Sequence, residues 1–223
     1  MALLELNNVT KHFEVRQGVL QKLQRQPVSL IKAVQSVNLT LGENEVLGIS
    51  GESGCGKSTT CLMIAGMLQP SAGEIHFSGK RVDQLLASEQ AWYRRQVQMI
   101  FQDPNSSLNP RMTIAGTLGE VTRFHRVVPH SDVDTYVDEL MNKVGMRPDD
   151  KTKYPHEFSG GQKQRIGIAR ALAVQPQFIV ADEPVSALDV SIQAQVLNLM
   201  QDLKDEFQLT LMFISHDLKV VNH

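Results

Sequence analysis

Apolar and polar residues alternate in three stretches of the first eighty residues. The alternating apolar positions are Leu4 and Leu6, then Val37, Leu39 and Leu41, and then Ile75 and Phe77. A period of two residues is typical of strands with one buried face, so we expect a β-rich N-terminal part. Residues 16–31 follow no clean period and contain Pro27, which predicts a loop insertion.

Short continuous apolar runs alternate with helical patterns in the rest of the chain. The runs at residues 46–50, 98–101, 178–181 and 209–214 predict buried strands. Residues 160–174 predict a helix with Ser159 as its N-cap, and a second helix is expected to begin at Asp189, with Ile192, Val196, Leu199 and Leu203 on one face. Strands that alternate with helices indicate a mostly parallel sheet, which binds ligands at the carboxyl ends of its strands.

The segment from about 103 to 158 has a different character. It opens with the turn-rich stretch DPNSSLNPRMT. An amphipathic helix follows, with its apolar face formed by Val133, Tyr136, Val137, Leu140, Met141 and Val144. Ser131 is the expected N-cap of this helix and Gly145 its expected end. We interpret the segment as a mostly helical insertion.

Composition narrows the classes of protein that fit. The chain has 223 residues, of which 42% are hydrophobic and 21% charged, with a formal net charge of −2. These values suit one globular α/β unit and give no basic excess that would favour nucleic acid as the main partner. The chain has neither an apolar run near the ~18 residues that span a bilayer nor a secretion signal, so we expect a cytoplasmic protein. Two cysteines, Cys55 and Cys61, are too few for a disulfide framework or a zinc cluster.

Residues 51–59, GESGCGKST, lie where a strand turns into a helix. A helix N-terminus attracts anions, and glycines let successive N–H groups curl around a phosphate. In this pattern Lys57 reaches the β- and γ-phosphates, Ser58 offers its hydroxyl to Mg²⁺, and Thr59 helps to hold the α-phosphate. The alternative is a tight glycine turn with a surface lysine. We call residues 51–59 the phosphate loop.

Two further stretches support a nucleotide site. The apolar run FIVADE delivers two acids to the sheet edge, where Asp182 is placed to hold Mg²⁺ through water and Glu183 to polarise the attacking water. Their alternative role is to cap the next turn before Pro184. The stretch SGGQKQR at residues 159–165 joins a hydroxyl and two glycines to a helix start, which predicts a second anion site or, alternatively, a glycine turn with a capping serine. We call residues 159–162 the serine–glycine segment.

Six elements together resemble the ATP-binding cassette (ABC) ATPase family: GESGCGKST, Gln102, SGGQKQR, FIVADE, SALD at residues 186–189, and His216. The resemblance implies an α/β P-loop NTPase fold with a mostly parallel core sheet, an N-terminal antiparallel β subdomain and an inserted α-helical subdomain. It also implies a single ATPase domain over residues 1–223. Family members normally continue beyond the position of His223, so the C-terminal end is expected to be truncated.

The resemblance assigns roles to individual residues. Glu183 would be the catalytic base, with His216 and Gln102 as further catalytic residues, and Mg²⁺ would be held by Ser58, Gln102 and Asp182. Phe13 is the best match to the aromatic residue that stacks on adenine, with a core phenylalanine as the alternative. The residues expected to bind ATP are Phe13, Gly51, Glu52, Ser53, Gly54, Cys55, Gly56, Lys57, Ser58, Thr59, Ser159, Gly160, Gly161, Gln162 and Asp189. The serine–glycine segment would cap ATP bound to an opposite subunit.

The stretch FQDPNSSLNPRMT, residues 101–113, resembles the ATPases of bacterial peptide and nickel importers. This resemblance implies transmembrane permeases, a second ABC ATPase (identical or paralogous) in a head-to-tail dimer, and an extracytoplasmic solute-binding protein as an indirect partner. The expected location is peripheral, on the cytoplasmic face of the inner or plasma membrane. The solute could be a peptide, nickel or a metal–chelator complex.

Two other classes remain as alternatives. A soluble ABC ATPase that acts on DNA or ribosomes would carry long coiled coils or a second cassette, and the sequence has neither, so no nucleic acid partner is expected. A non-catalytic regulatory module fits poorly because both Glu183 and His216 are present.

Overall fold

A computed structural model describes residues 2–15 and 29–215, without the side chains of Asn105 and Ser106. The chain divides into two compact units. One combines the N-terminal residues up to Gly42 with Gly51–Leu86, and the other combines Glu43–Ser50 with the chain from Ala87 onward. That residues 1–223 make a single ATPase domain stays a prediction.

The strands are β1 (Ala2–Glu14), β2 (Leu30–Gly42), β3 (Val46–Ser50), β4 (Ala72–Phe77), β5 (Lys80–Arg81), β6 (Val97–Ile100), β7 (Phe178–Asp182) and β8 (Thr210–Ser215). The α-helices are α1 (Lys57–Ile64), α2 (Ala87–Gln96), α3 (Pro104–Ser107), α4 (Ile114–Phe124), α5 (Val133–Lys143), α6 (Gly160–Leu172) and α7 (Val190–Phe207). Short 3₁₀ helices cover Val82–Gln84, His130–Asp132, Pro148–Thr152 and Pro155–Glu157.

The first unit is built on an antiparallel sheet with the strand order β2-β1-β4-β5. The alternation in β1 and β4 buries Leu4, Leu6, Ile75 and Phe77, each at most 1% exposed. The period-two pattern therefore predicted this part correctly. Of the predicted loop at 16–31, residues 16–28 lie outside the described part of the chain. The prediction was wrong at its end, because β2 already begins at Leu30.

The second unit is built on a parallel sheet with the order β3-β8-β7-β6. Helices α4, α5, α6 and α7 share one continuous apolar core with β7 and β8. In this core Leu118, Val137, Ile166 and Val196 are all buried. The segment from 103 to 158 is largely helical, as its amphipathic pattern predicted, and it packs into the same core as the sheet.

The start of α5 differs from the expectation. Ser131 does not cap the helix, because it lies in the 3₁₀ turn His130–Asp132 and its hydroxyl donates a 2.7 Å hydrogen bond to the Asp132 carboxylate. Asp132 takes the N-cap position without a side-chain capping bond. The other end follows the prediction. Gly145 adopts a φ of 68°, and its N–H donates to the Asn142 carbonyl at 2.9 Å.

Candidate functional site

Parallel strands place their carboxyl ends at one edge of the second unit's sheet. Ser50 at the end of β3 pairs with Ser215, and Asp182 at the end of β7 pairs with Ile214. On the other side of β7, Ile100 at the end of β6 pairs with Ala181. The chain leaves Ser50 directly into the phosphate loop. The strand ends that carry the predicted site residues are therefore brought to one edge, as expected for a parallel sheet.

Two glycines of the phosphate loop have backbone conformations that require glycine. Gly54 has a φ of 82°, and Gly56, the N-cap of α1, has a φ of 98°. A β-carbon on Gly56 would lie 2.3 Å from the carbonyl oxygen of Ala33 on β2, whereas one on Gly54 would meet nothing within 4 Å. Gly54 therefore provides only the left-handed turn, whereas Gly56 also lets the loop approach β2 closely.

Lys57 folds back over the phosphate loop. Its ammonium donates to the carbonyl oxygens of Gly51 at 2.6 Å and Glu52 at 2.7 Å, and it lies 3.7 Å from Cys55 Sγ. Glu52, Ser53 and Cys55 are exposed to solvent. The loop thus curls around a cation that can turn towards a phosphate group, next to the positive end of α1.

Asp182 and Glu183 end β7 in two different environments. Asp182 is only 8% exposed. Glu183 has a φ of 47°, and its N–H donates to the Ile214 carbonyl at 3.0 Å. Its carboxylate accepts a 3.0 Å hydrogen bond from the Gln102 side-chain amide. The left-handed backbone at Glu183 turns the chain out of the strand, so the Asp182 and Glu183 carboxylates lie in different surroundings.

The contact between Gln102 and Glu183 joins residues 81 positions apart. The family resemblance pointed to both residues, but their contact was not predicted. No local sequence pattern shows that residues so far apart in the chain are in contact. Their contact places an amide against the carboxylate that was predicted to act as the base.

The serine–glycine segment forms a capping box at the start of α6. The Ser159 hydroxyl accepts from the Gln162 N–H at 3.3 Å, and the Gln162 side chain accepts from the Ser159 N–H at 2.9 Å. The predicted N-cap is therefore confirmed. Ser159, Gly160 and Gln162 are all exposed. These two hydrogen bonds stiffen the first turn of α6.

Gly161 packs against the start of α7. A β-carbon on Gly161 would lie 2.5 Å from Ile192 Cγ2, and one on Gly160 would lie 3.5 Å from Leu188 Cδ2. Asp189, between these two contacts, is the exposed N-cap of α7, and its side chain makes no capping hydrogen bond. The structure therefore brings Asp189 and the serine–glycine segment together on neighbouring helix starts.

Phe13 and His216 are the remaining predicted site residues. Phe13 lies on β1, is 38% exposed, and has the Lys11 ammonium 5.3 Å from its ring centroid. This exposure disfavours the core role that was its alternative. His216 lies outside the described residues.

The donor chemistry of these residues fits a nucleoside triphosphate and Mg²⁺. The phosphate loop combines left-handed glycines, a helix N-terminus and an ammonium group, which suits a polyanion. Mg²⁺ prefers oxygen ligands, and such donors are the Ser58 hydroxyl in one unit and the Asp182 carboxylate and Gln102 amide oxygen in the other. Their assembly around one ion stays a prediction.

Arg170 of α6 was not among the predicted site residues. Its guanidinium donates to the carbonyl of Ser107 at the end of α3. Burial lowers the pKa of Arg170 from its usual value. The available signal was an arginine within the otherwise apolar stretch IARAL of a predicted helix.

Among residues 2–15 and 29–215, no helix is long and apolar enough to cross a membrane.

Comparison with known proteins supplies independent information on the family. The family model described as "ABC transporter" matches residues 34–186. The oligopeptide transport ATP-binding protein AppF of Bacillus subtilis is 49% identical over 99% of this chain and 66% of its own length. OppF of Salmonella typhimurium is 50% identical over the same shares. The glutathione import ATP-binding protein GsiA of Pectobacterium atrosepticum is 44% identical over 98% of this chain and 34% of its own length.

Solved structures of ATP-binding cassettes are similar to this chain as well. The dimeric structure of a bacterial ABC transporter cassette has a TM-score of 0.83 and 29% identity, and covers 98% of this chain and 90% of that one. A dimeric post-hydrolysis state of an ATP-binding cassette bound to ADP and Pi has a TM-score of 0.79 and 30% identity over 97% and 89% of the two chains. The predicted fold class is thereby confirmed. The chain spans about two thirds of the length of AppF and OppF, and it belongs to the ABC transporter family.

Proposed function

We propose that this protein is the ATP-hydrolysing motor subunit of a bacterial ABC importer whose solute is a peptide. The observation that carries the proposal is the near 50% identity, over almost the whole chain, to ATP-binding proteins named for oligopeptide transport. A further relative is named for the import of glutathione, which is itself a small peptide. These names favour peptides over the nickel and metal–chelator alternatives, and they favour an importer over a DNA or ribosome ATPase.

The proposed chemistry uses the residues of the phosphate loop first. Lys57 leaves the carbonyls of Gly51 and Glu52 and turns to the β- and γ-phosphates, while the N–H groups at the start of α1 bind the phosphate oxygens. Ser58, Asp182 and Gln102 are the proposed Mg²⁺ ligands. When bound, the ion would neutralise charge on the phosphates.

Glu183 is the proposed base for the water that attacks the γ-phosphate, and Gln102 orients its carboxylate through their 3.0 Å hydrogen bond. His216 is proposed to contact the same phosphate. Phe13 is proposed to stack on adenine, which its exposed position on β1 supports. Phosphoryl transfer needs little covalent chemistry from the protein, so positioning and charge account for most of the rate.

A second ABC ATPase, identical or paralogous, is proposed to complete the site. Ser159, Gly160 and Gln162 of the serine–glycine segment are exposed, and the capping box orders this turn, which is suited to cap a triphosphate held by the opposite subunit. Asp189 would lie at the same dimer seam. Transmembrane permeases would dock on this pair at the cytoplasmic face of the membrane, and an extracytoplasmic binding protein would deliver the solute to them.

Reconstitution in vesicles tests this function. The full-length protein, its partner ATPase, the two permeases and the binding protein from the neighbouring genes are assembled in proteoliposomes, and phosphate release is measured. We expect peptide to raise the hydrolysis rate and to accumulate inside the vesicles. Stimulation by nickel or a metal–chelator complex, with no response to peptide, would contradict the proposed solute. An absence of ATP hydrolysis under every condition would contradict the motor function.

A further inference from the structure

The turn that follows Gln102 lies directly on α6. This turn, residues 102–107, consists of Gln102, Asp103 and the short helix α3. Ser107 closes α3 by donating its hydroxyl to the Pro104 carbonyl at 2.9 Å. A β-carbon on Gly167 of α6 would be only 3.7 Å from this Ser107 hydroxyl. Leu108, the next residue, is 4% exposed in the apolar core. The turn therefore approaches α6 so closely that an added β-carbon at Gly167 would touch it, and the residue after the turn is buried in the core.

Arg170 fixes the same turn by a polar contact. It lies three residues after Gly167, on the same side of α6, and its guanidinium donates to the Ser107 carbonyl. Partial burial of a guanidinium is costly unless hydrogen bonds offset it, so this side chain is held in place by the contact that it makes. The contact joins α6 to the last residue of α3, five positions after Gln102.

The two ends of α6 serve two parts of the proposed site. Its first turn is the serine–glycine segment, stiffened by the capping box. Its second half carries Gly167 and Arg170, which hold the turn behind Gln102. An α-helix transmits displacement along its length because its hydrogen bonds keep it rigid. Arg170 therefore links the helix that begins with the serine–glycine segment to the turn that follows Gln102, whose amide meets Glu183.

Among the described residues, one buried polar side chain on α6 lacks a hydrogen-bond partner for its amide nitrogen. Gln164, one turn before Gly167, is 1% exposed, and its side-chain nitrogen has no hydrogen-bond partner within the described part of the chain. A buried donor without a partner destabilises the arrangement that contains it.

We propose that Arg170 is a positioning residue that couples the serine–glycine segment to the Gln102–Glu183 pair through α6. When the segment engages ATP on the opposite subunit, the Arg170–Ser107 contact carries the movement to Gln102 and orients the Glu183 carboxylate for water attack. This inference rests on the proposed ATPase function. It assigns no contact between Arg170 and the nucleotide, so Arg170 affects turnover and leaves nucleotide affinity unchanged.

The test compares Arg170→Met, Arg170→Lys and wild type in the complete importer, with kcat and KM for ATP and the dissociation constant of a fluorescent ATP analogue measured for each. We expect Arg170→Met to lower kcat by about tenfold to a hundredfold, the cost of misplacing a catalytic group by about an ångström. KM and the dissociation constant should stay within about twofold, because the phosphate loop is unaltered. Arg170→Lys, which can still donate to Ser107, should recover most of the rate.

A double-mutant cycle separates positioning from general destabilisation. In a Gln102→Ala background, Arg170→Met should change kcat by less than about twofold, because the residue through which it acts is absent. Equal losses in both backgrounds, or a wild-type kcat for Arg170→Met, would overturn the inference. If the wild-type importer hydrolyses no ATP, the proposed function fails instead, and the two failures are thus distinguishable.

A second variant keeps the test informative if Arg170→Met does not fold. Gly167→Val places a branched side chain against Ser107 without altering Arg170, and it should reproduce the loss of kcat and its dependence on Gln102. Gly167→Ala is the matched control, since its β-carbon would sit at the ordinary contact distance of 3.7 Å. Wild-type turnover in Gly167→Val would contradict the coupling.

Discussion

The close approach of Gly56 to β2 predicts a severe effect for one added methyl group. In Gly56→Ala the new β-carbon would lie 2.3 Å from the Ala33 carbonyl oxygen, while ordinary contacts begin at 3.4 Å. The phosphate loop must therefore move by about 1 Å. A φ of 98° adds the strain of a left-handed residue, about 1–2 kcal/mol. Since 1 Å of misplacement can cost a hundredfold, we expect ATP affinity to fall by about tenfold to a hundredfold.

Gly54→Ala is the matched control for this prediction. Gly54 shares the left-handed conformation, with a φ of 82°, but its β-carbon would meet nothing within 4 Å. It should lose about 1–2 kcal/mol of stability from strain alone, a decrease in Tm of about 2–8 °C for a chain of this size, and should keep most of its affinity. Titration of a fluorescent ATP analogue and thermal unfolding of both variants give the comparison. If the two variants bind ATP equally well, the contact with Ala33 has no role in shaping the loop.

Four further outcomes follow from the site and its surroundings. Lys57→Ala should abolish the ATP-dependent rise in Tm, and a wild-type rise would refute the phosphate-loop assignment. Glu183→Gln should keep ATP binding and slow turnover by about 10²–10⁴-fold in the permease complex, and unchanged phosphate release would refute its role as base. Gly161→Ala, whose β-carbon would lie 2.5 Å from Ile192 Cγ2, should weaken ATP-driven dimerisation more than Gly160→Ala, measured by light scattering, and equal effects would count against that contact. Burial, and to a lesser extent the charge of Arg95, lower the pKa of His125 below 6.5. Because the unfolded chain then binds a proton at a higher pH than the folded chain, the stability of the fold should decrease as the pH drops below about 6.5. Thermal melts of His125→Asn should show a smaller decrease, and an identical decrease would exclude His125 as the cause.

The sequence predicted those parts of the structure whose cause is local. The alternation of apolar and polar residues predicted β1 and β4, and continuous apolar runs predicted β7 and β8. Such patterns can be recognised from neighbouring residues alone. The capping box at Ser159 was recognised for the same reason, since its partner Gln162 is three residues away.

The features that were missed depend on contacts between distant residues or on weak local patterns. Helix α2 was not predicted, because it is mostly polar and buries only Tyr93. Ser131 matched the composition of an N-cap, yet its hydroxyl donates a hydrogen bond to the adjacent Asp132 carboxylate. The contacts of Gln102 with Glu183 and of Arg170 with Ser107 span 81 and 63 positions, so only the folded chain reveals them.

A mass measurement shows whether the serine–glycine segment of one subunit caps the ATP of the other subunit. Full-length Glu183→Gln protein is mixed with its partner ATPase, and the molar mass is measured by light scattering with Mg²⁺ and either ATP or ADP. We expect the mass of a two-ATPase complex with ATP and of separate subunits with ADP. Separate subunits under both conditions, even with the permeases added, would rule out capping between subunits.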